Sequence, residues 1–192
     1  LTGPGAIAGP GVPKVIYTVE CNYADAASEP EWNEFYNHQK LPALLSVQGF
    51  HTSQRFKACG QGSATYLALH AIDGLQVLRG AEYAQKGGGN FARWQPHITD
   101  WHRNLYVGAE RAPAVARNAY LLVSRVGPEL LSALGCTPLA LQAVALDRTP
   151  GALWLACLPA DRRAALDSLP AGMHAYAPMT AQLRSRHARV HD

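Results

Sequence analysis

One order of elements can be read twice along this 192-residue chain. Strand, helix, strand, strand, helix, strand runs over residues 14–109 and again over 118–189. Each pass supplies helices enough to cover one face of its sheet, so the other face must be hidden against something. Two such sheets in one chain can hide against each other. The expected architecture is α+β: two tandem βαββαβ units whose antiparallel sheets pack together as a closed or nearly closed barrel. Pockets then arise between sheet and helices, or inside the barrel.

The elements rest on local signals. Lys14–Cys21 (KVIYTVEC) is β-branched and aromatic, a strand by propensity. Ser28-Glu29-Pro30-Glu31 has the form of a capping box, and Trp32, Phe35, Tyr36 and Leu44 or Leu45 then form a buried helical stripe. Pro42 is expected to kink or end that helix, and Gly49 to hand the chain to a second strand, GFHTSQRFK. A turn at Gln61-Gly62-Ser63 leads into a third strand, ATYLALHAI. Leu75–Gln85 reads as a short helix ended by Gly87–Gly89, and Trp94–Val107 as an irregular stretch becoming the fourth strand. The second pass offers NAYLLVSRV, a helix opened by Pro128 and Glu129, the paired strands LALQAVALDR and ALWLACL, a helix from Asp161 to Leu169, and HAYAPMTAQLRS. Residues 1–13 are rich in Gly and Pro and read as a flexible or extended arm.

Chemistry is distributed unevenly over the two passes. The first holds His38, His51, His70, His97 and His102, three of the four Trp and every Phe, while the second is mostly Ala, Leu and Val. The working site is therefore expected in the first unit, with a mainly structural second unit. A net charge of +3 is too small to argue for nucleic acid. The positive excess gathers in a tail of Arg184, Arg186, His187, Arg189 and His191, and a solvated chain end explains it. No apolar run approaches the length of a membrane helix. Cys21, Cys59, Cys136 and Cys157 show no metal-like spacing and read as free thiols, which suggests a reducing, cytoplasmic setting. No dinucleotide fingerprint, phosphate loop or nucleophile elbow is present.

Two segments carry candidate chemistry. Between Trp94 and Tyr106, His97 lies beside Trp94 and Trp101, where an imidazole can act as general acid or base, and Arg103 can clamp a carboxylate or enolate oxygen. On the second strand His51, Ser53 and Arg55 alternate with Phe50, Thr52, Gln54 and Phe56. If the Phe face packs on the helices, His51 and Arg55 enter the barrel interior, where a buried Arg needs an anion. His38, His70, Tyr17 and Tyr66 are further candidate pocket linings, each also readable as ordinary core.

The passage EFYNHQKLPALLSVQGF, with His38, Pro42 and Gly49 at a helix end running into a strand, resembles the dimeric α+β barrel superfamily. Within it the nearest likeness is to EthD-like and related ferredoxin-like barrels. The resemblance covers about the first 106 residues, and the second half matches by element order alone. It implies two ferredoxin-like units in one chain and a small, fairly apolar substrate handled by one or two His or Tyr residues. The expected function is a cofactor-independent enzyme: His97 or His51 moves a proton on a small aromatic or polyketide-like compound, and Arg55 or Arg103 stabilises the oxyanion. Trp94 and Trp101 wall the pocket. The reaction class is isomerase, dehydratase, cyclase or lyase. A cofactor-free or haem-dependent monooxygenase is the alternative within the superfamily, and a non-catalytic small-molecule-binding or stress-response barrel is the alternative outside enzymology. The chain is expected to be a monomer or homodimer whose partner is its small-molecule substrate.

Overall fold

A computed structural model describes residues 14–87 and 91–186. The Gly/Pro arm, Gly88 and Gly89 of the glycine run, and His187, Arg189 and His191 of the basic tail lie outside the described residues. Among the described residues nine strands form one sheet: β1 (Val15–Tyr23), β2 (Phe50–Ala58), β3 (Tyr66–Ile72), β4 (Ile98–Val107), β5 (Tyr120–Ser124), β6 (Leu139–Leu146), β7 (Ala152–Leu158), β8 (Met173–Pro178) and β9 (Leu183–Arg184). The order β3-β1-β4-β6-β7-β5-β8-β2 closes through a β2–β3 pairing into an eight-stranded barrel, with β9 added on β2. Every pairing is antiparallel. The first half contributes its strands as β4-β1-β3-β2, and the second half repeats the arrangement as β8-β5-β7-β6. The barrel is closed within one chain, which removes the free edges two separate sheets would expose.

Strand alternation sorts side chains into two environments. On β1, Ile16 joins Phe56, Leu69, Tyr106, Leu121, Leu155 and Tyr176 in the barrel interior. Val15, Tyr17, Val19 and Cys21 face outward into a second core under the helices, with Trp32, Tyr36, Leu41, Leu44, Phe50, Tyr66 and Phe91. A smaller core packs the second half against α5 (Glu129–Ala133) and a 3-10 run over Ala160–Ser168. Inside the barrel, Gln54 Nε2 donates to the carbonyls of Val115 (2.7 Å) and Thr180 (3.0 Å), and its Oε1 accepts from Val115 N. The strap between the two halves is thereby fixed to the first. Glu20 and Arg125 form a second tie, an ion pair of 2.9 Å.

Local structure departs from expectation in four places. Ser28 makes no side-chain cap to α1 (Glu29–Phe35); its Oγ donates to Asp25 and lies 2.7 Å from the Tyr23 hydroxyl. Pro42 does not end the helix. A π turn over Tyr36–Lys40 precedes α2 (Leu41–Leu45), so Pro42 sits in a first turn, where its missing N–H costs nothing. The expected helix at Leu75–Gln85 is two, α3 (Leu75–Arg79) and α4 (Ala81–Lys86), broken by an extended Gly80. The helix expected from Asp161 is the 3-10 run, kinked at Arg162. No helix among the described residues is long and apolar enough to cross a membrane.

Candidate functional site between the first sheet and its helices

Tyr17, His70 and Ser53 form a row across β1, β3 and β2, because Tyr17 pairs with His70 and His70 with Ser53 in the strand register. All three face the helices. The His70 ring stacks on Tyr17 at 5.4 Å, and its Nδ1 lies 2.7 Å from Ser53 Oγ. Phe50 presses edge-on from the other side at 5.6 Å. Complete burial pulls the His70 pKa down to about 3, so the imidazole is neutral. Its Nε2 is buried without a hydrogen-bond partner.

Three helical segments roof this row. From α4, Tyr83 brings its hydroxyl to 3.3 Å from that of Tyr17. Burial, with Tyr83 close by, raises the Tyr17 pKa and keeps the phenol protonated. Arg103, on β4, reaches both hydroxyls; burial pulls its pKa down, but the two phenols outweigh this and leave it raised. The π turn supplies Tyr36 and Lys40, and α2 supplies Leu44. Lys40 keeps only 5% of its surface exposed, and its Nζ stands 4.6 Å from the Phe91 ring centre. Burial draws its pKa down to about 8.

These groups line a cavity of about 10 Å³: Tyr17, Val19, Tyr36, Lys40, Leu44, His70, Tyr83, Gly87, Phe91 and Trp101. That is room for about one water. A groove of about 210 Å³ opens on the outer side, between the π turn and α4, lined by Phe35, Gln39, Lys40, Ala43, Ala84, Gln85, Lys86 and Gly87. Lys40 and Gly87 border both spaces. A larger groove of about 440 Å³ lies between α2 and β9; among the described residues its ionisable lining is the exposed Arg184 and Arg186.

A second cluster adjoins the first through Tyr36. The Arg55 guanidinium is buried among three rings, 4.5 Å from Trp32, 4.2 Å from Tyr36 and 4.7 Å from Tyr66. Its Nη1 donates to Asn37 Oδ1 at 3.1 Å, while Nη2 is buried without a partner. Burial pulls its pKa down to about 10. Tyr66 donates to Glu29 and accepts from Asn33, so a carboxylate stands one residue away from this cation.

Of the residues singled out in the sequence, the structure brings Tyr17, His70 and Trp101 to one pocket, with Arg103 against the Tyr17 and Tyr83 hydroxyls and Arg55 against Tyr36. Arg55 and Ser53 face the helices, whereas Gln54 and Phe56 face the barrel interior. A bulge between Phe50 and Thr52 shifts the alternation and returns Phe50 to the helix side. His51 lies 2.5 Å from Asp73 at the start of β2. His97 closes a 3-10 turn at the start of β4, 5.8 Å from the Tyr23 ring. Those two histidines flank opposite ends of β1, whose nine residues span roughly 26 Å at strand rise. His38 is exposed and pairs with Glu34 at 3.4 Å, and Trp94 packs on Phe35 at 4.6 Å.

Sequence reading passed over Lys40, Tyr83, Tyr36 and Phe91 as site residues. A signal for Lys40 existed: Trp32, Tyr36, Lys40 and Leu44 recur every fourth residue, and all four are buried. A lysine on the apolar stripe of a helix is a group held where charge is costly.

No group of three or more His, Cys, Asp or Glu arranged to hold a metal occurs among the described residues. A haem does not fit this site. A haem needs open space beside the imidazole that binds its iron, and the space beside His70 is about 10 Å³. The imidazole, moreover, is packed between Tyr17 and Phe50.

No family model and no curated protein matches the sequence. Solved structures do match. An anthrone oxidase-like protein aligns with a TM-score of 0.56 and 9% identity over 90% of this chain and 93% of its own. A structure described as a putative monooxygenase, from Fusobacterium nucleatum, aligns at 0.53 and 8% identity over 90% and 97%. Another so described, from Lactobacillus acidophilus, aligns at 0.50 and 8% over 89% and 99%. At such identity the likeness is one of fold.

Proposed function

We propose that this protein is an enzyme that removes a proton from a small aromatic or polyketide-like compound, held between the first sheet and its helices. The observation that carries this reading is the convergence of the Tyr17 and Tyr83 hydroxyls with Arg103 on an aromatic-walled cavity that also holds neutral His70. Tyr17, a phenol whose pKa burial has raised, remains a donor, and with the Tyr83 hydroxyl and the guanidinium it can hold a keto or phenolic oxygen. Loss of a neighbouring C–H proton turns that oxygen into an enolate, and fixed donors in a dry site bind an enolate better than a ketone. With Nδ1 against Ser53, the free atom of His70 is Nε2, which serves as proton acceptor. Developing negative charge beside the ring raises its proton affinity from the low value that burial gives it. Return of the proton to another carbon, or expulsion of a leaving group, gives the isomerase, cyclase or lyase outcome. The outer groove suits one or two rings.

A second reading has one supporting observation, the anthrone oxidase-like and monooxygenase neighbours of the fold. The same enolate can give electrons to dioxygen: a CH2 group and O2 become a C=O group and water. Both readings share the first step.

The residue ranges 14–109 and 118–189 are proposed as tandem ferredoxin-like units of EthD-like kind, the first carrying the site. The matching strand orders of the two halves support the duplication, and the passage through His38, Pro42 and Gly49 supports the EthD-like likeness. The chain is proposed to work in the cytoplasm as a monomer or homodimer.

Solvent-deuterium uptake into the enolisable ketone 2-tetralone, followed by proton NMR, tests the shared step. Wild type should speed the exchange, and Tyr83→Phe and His70→Phe should each slow it at least tenfold. Equal exchange with wild type and with either folded variant overturns the reading. Oxygen consumption in the same sample selects the oxygenase outcome.

A further inference from the structure

The inner cavity has room for about one water, so a wall must move before a ring reaches His70. The sheet is the fixed side. Tyr17 and Val19 lie on β1, which is paired with β3 and β4, and His70 lies on β3, paired with β1 and β2. The helical run from α1 through the π turn to α2 is anchored by buried Trp32, Tyr36, Leu41 and Leu44. The third roof segment, α4, is different. It is six residues long, starts from the extended Gly80, and buries one side chain, Tyr83. An element with so little buried surface opens more readily than the sheet beneath it.

Two sets of contacts hold α4 down. On the inside, the Tyr83 ring lies nearly parallel to Phe50 at 6.0 Å, and its hydroxyl meets that of Tyr17 at 3.3 Å. On the outside, α4 clasps the turn between α2 and β2. Glu82 Oε2 accepts from Gln48 N at 3.0 Å, and Lys86 Nζ donates to Ser46 O at 3.4 Å and to Glu82 Oε1 at 2.6 Å. This clasp is exposed, where water competes for each partner and such contacts are weak. We infer that α4 is a lid over the site, pivoting at Gly80, with Glu82 as its latch. Opening draws Tyr83 away from Tyr17 and Phe50 and joins the inner cavity to the outer groove, which α4 borders through Ala84, Gln85 and Lys86. Reclosure returns the Tyr83 hydroxyl to the oxygen of the ligand and excludes water. The inference rests on the proposed function for what enters, and it goes further by naming the moving element, its pivot and the residue that holds it shut.

Thiol labelling of the full chain tests the lid with no ligand present. Val19 lines the cavity, whereas Cys21, two residues further along β1, is buried outside it. Iodoacetamide alkylation, read by tandem mass spectrometry, should modify the thiol introduced by Val19→Cys at least tenfold faster than Cys21. Adding Glu82→Ala should speed the first reaction at least threefold and leave the second unchanged, since unfolding of the whole chain would expose both alike. Leu44→Cys, which puts a thiol on the α2 side of the same cavity, should behave in the same way and serves if circular dichroism shows that Val19→Cys does not fold. Equal rates at the introduced thiol and Cys21, or a ratio that Glu82→Ala leaves unaltered, overturns the inference. The 2-tetralone experiment remains separable: selective labelling without deuterium exchange leaves the lid standing and removes the reaction. Exchange without selective labelling does the reverse.

Discussion

Tyr17 and His70 face one another as register partners on β1 and β3, with rings stacked 5.4 Å apart on the helix side of the barrel. Strand pairing puts a phenol and an imidazole side by side, and burial then sets both protonation states. The phenol keeps its proton and the imidazole refuses a second one. An acid–base pair on neighbouring strands is more rigid than one assembled from loops, because the ladder of backbone hydrogen bonds fixes its spacing.

The same burial makes His70 a source of acid sensitivity. In the folded chain its pKa is about 3, against 6.5 in the open chain. Between those values the unfolded state binds a proton that the folded state does not, so stability falls as pH drops from 6.5 toward 3. The full loss at the low end is on the order of 4 kcal/mol. Urea unfolding midpoints of wild type and His70→Phe, compared across that range, should diverge at neutral pH and converge in acid. Parallel pH curves would show that His70 carries no such linkage.

Arg55 offers a contrast in how a buried cation is held. Three rings and Asn37 fit a planar guanidinium, and an ammonium can reproduce neither the stacking nor the reach. Arg55→Lys should therefore destabilise the fold by roughly 2 kcal/mol or more, since it leaves a buried charge with poorer partners. Arg55→Met keeps an apolar stem and removes the charge, so it should cost less than Arg55→Lys. Urea denaturation of the two variants checks the order, and the reverse order would mean that charge, not ring stacking, holds this cluster.

Periodicity made the element order legible, because alternation in strands and a four-residue stripe in α1 and α2 reflect burial directly. The barrel followed from having two sheets with one uncovered face each. Side-chain direction on β2 was not legible. A single bulge at the start of the strand brings Phe50 onto the same side as Ser53 and Arg55, and nothing in GFHTSQRFK marks that bulge. The π turn was equally hidden, since Pro42 announces a disturbance of the helix but not whether the chain breaks or absorbs it. His51, His97 and Trp94 drew attention as residue types, but the ends of β1 and a surface 3-10 turn hold them apart. Lys40 and Tyr83 were obscured by sequence distance: only the roof of α4 over α2 puts them on one cavity.

Gly87 tests whether the groove and cavity communicate. A Cβ added there would stand 2.5 Å from Leu44 Cδ2 and 3.4 Å from Tyr83 Cδ2, so Leu44 must move. The backbone conformation itself is open to alanine, and the strain is one of packing. Gly87→Ala should cost about 1 kcal/mol by overpacking and slow 2-tetralone exchange severalfold. Gly60→Ala, where nothing lies within 4 Å, should change neither. Unaltered 2-tetralone exchange in Gly87→Ala, followed by proton NMR, would place the route to the cavity elsewhere.

Lys40 should leave its mark on alkaline stability. Its pKa falls from 10.5 in the open chain to about 8 in the fold, through burial. Between about pH 8 and 10.5 the unfolded chain binds a proton at this residue and the folded chain does not, so stability contributed by Lys40 rises with pH across that window. Below pH 8 both states are protonated and the destabilisation is at its full size, on the order of 2 kcal/mol. Lys40→Met removes the buried charge and should be the more stable protein at neutral pH, with the difference shrinking as pH climbs toward 10.5. Urea midpoints of wild type and Lys40→Met across that range check the sign. A constant difference between the two proteins at every pH would mean that Lys40 keeps its proton throughout, and that its ammonium is better solvated than its place against Phe91 implies.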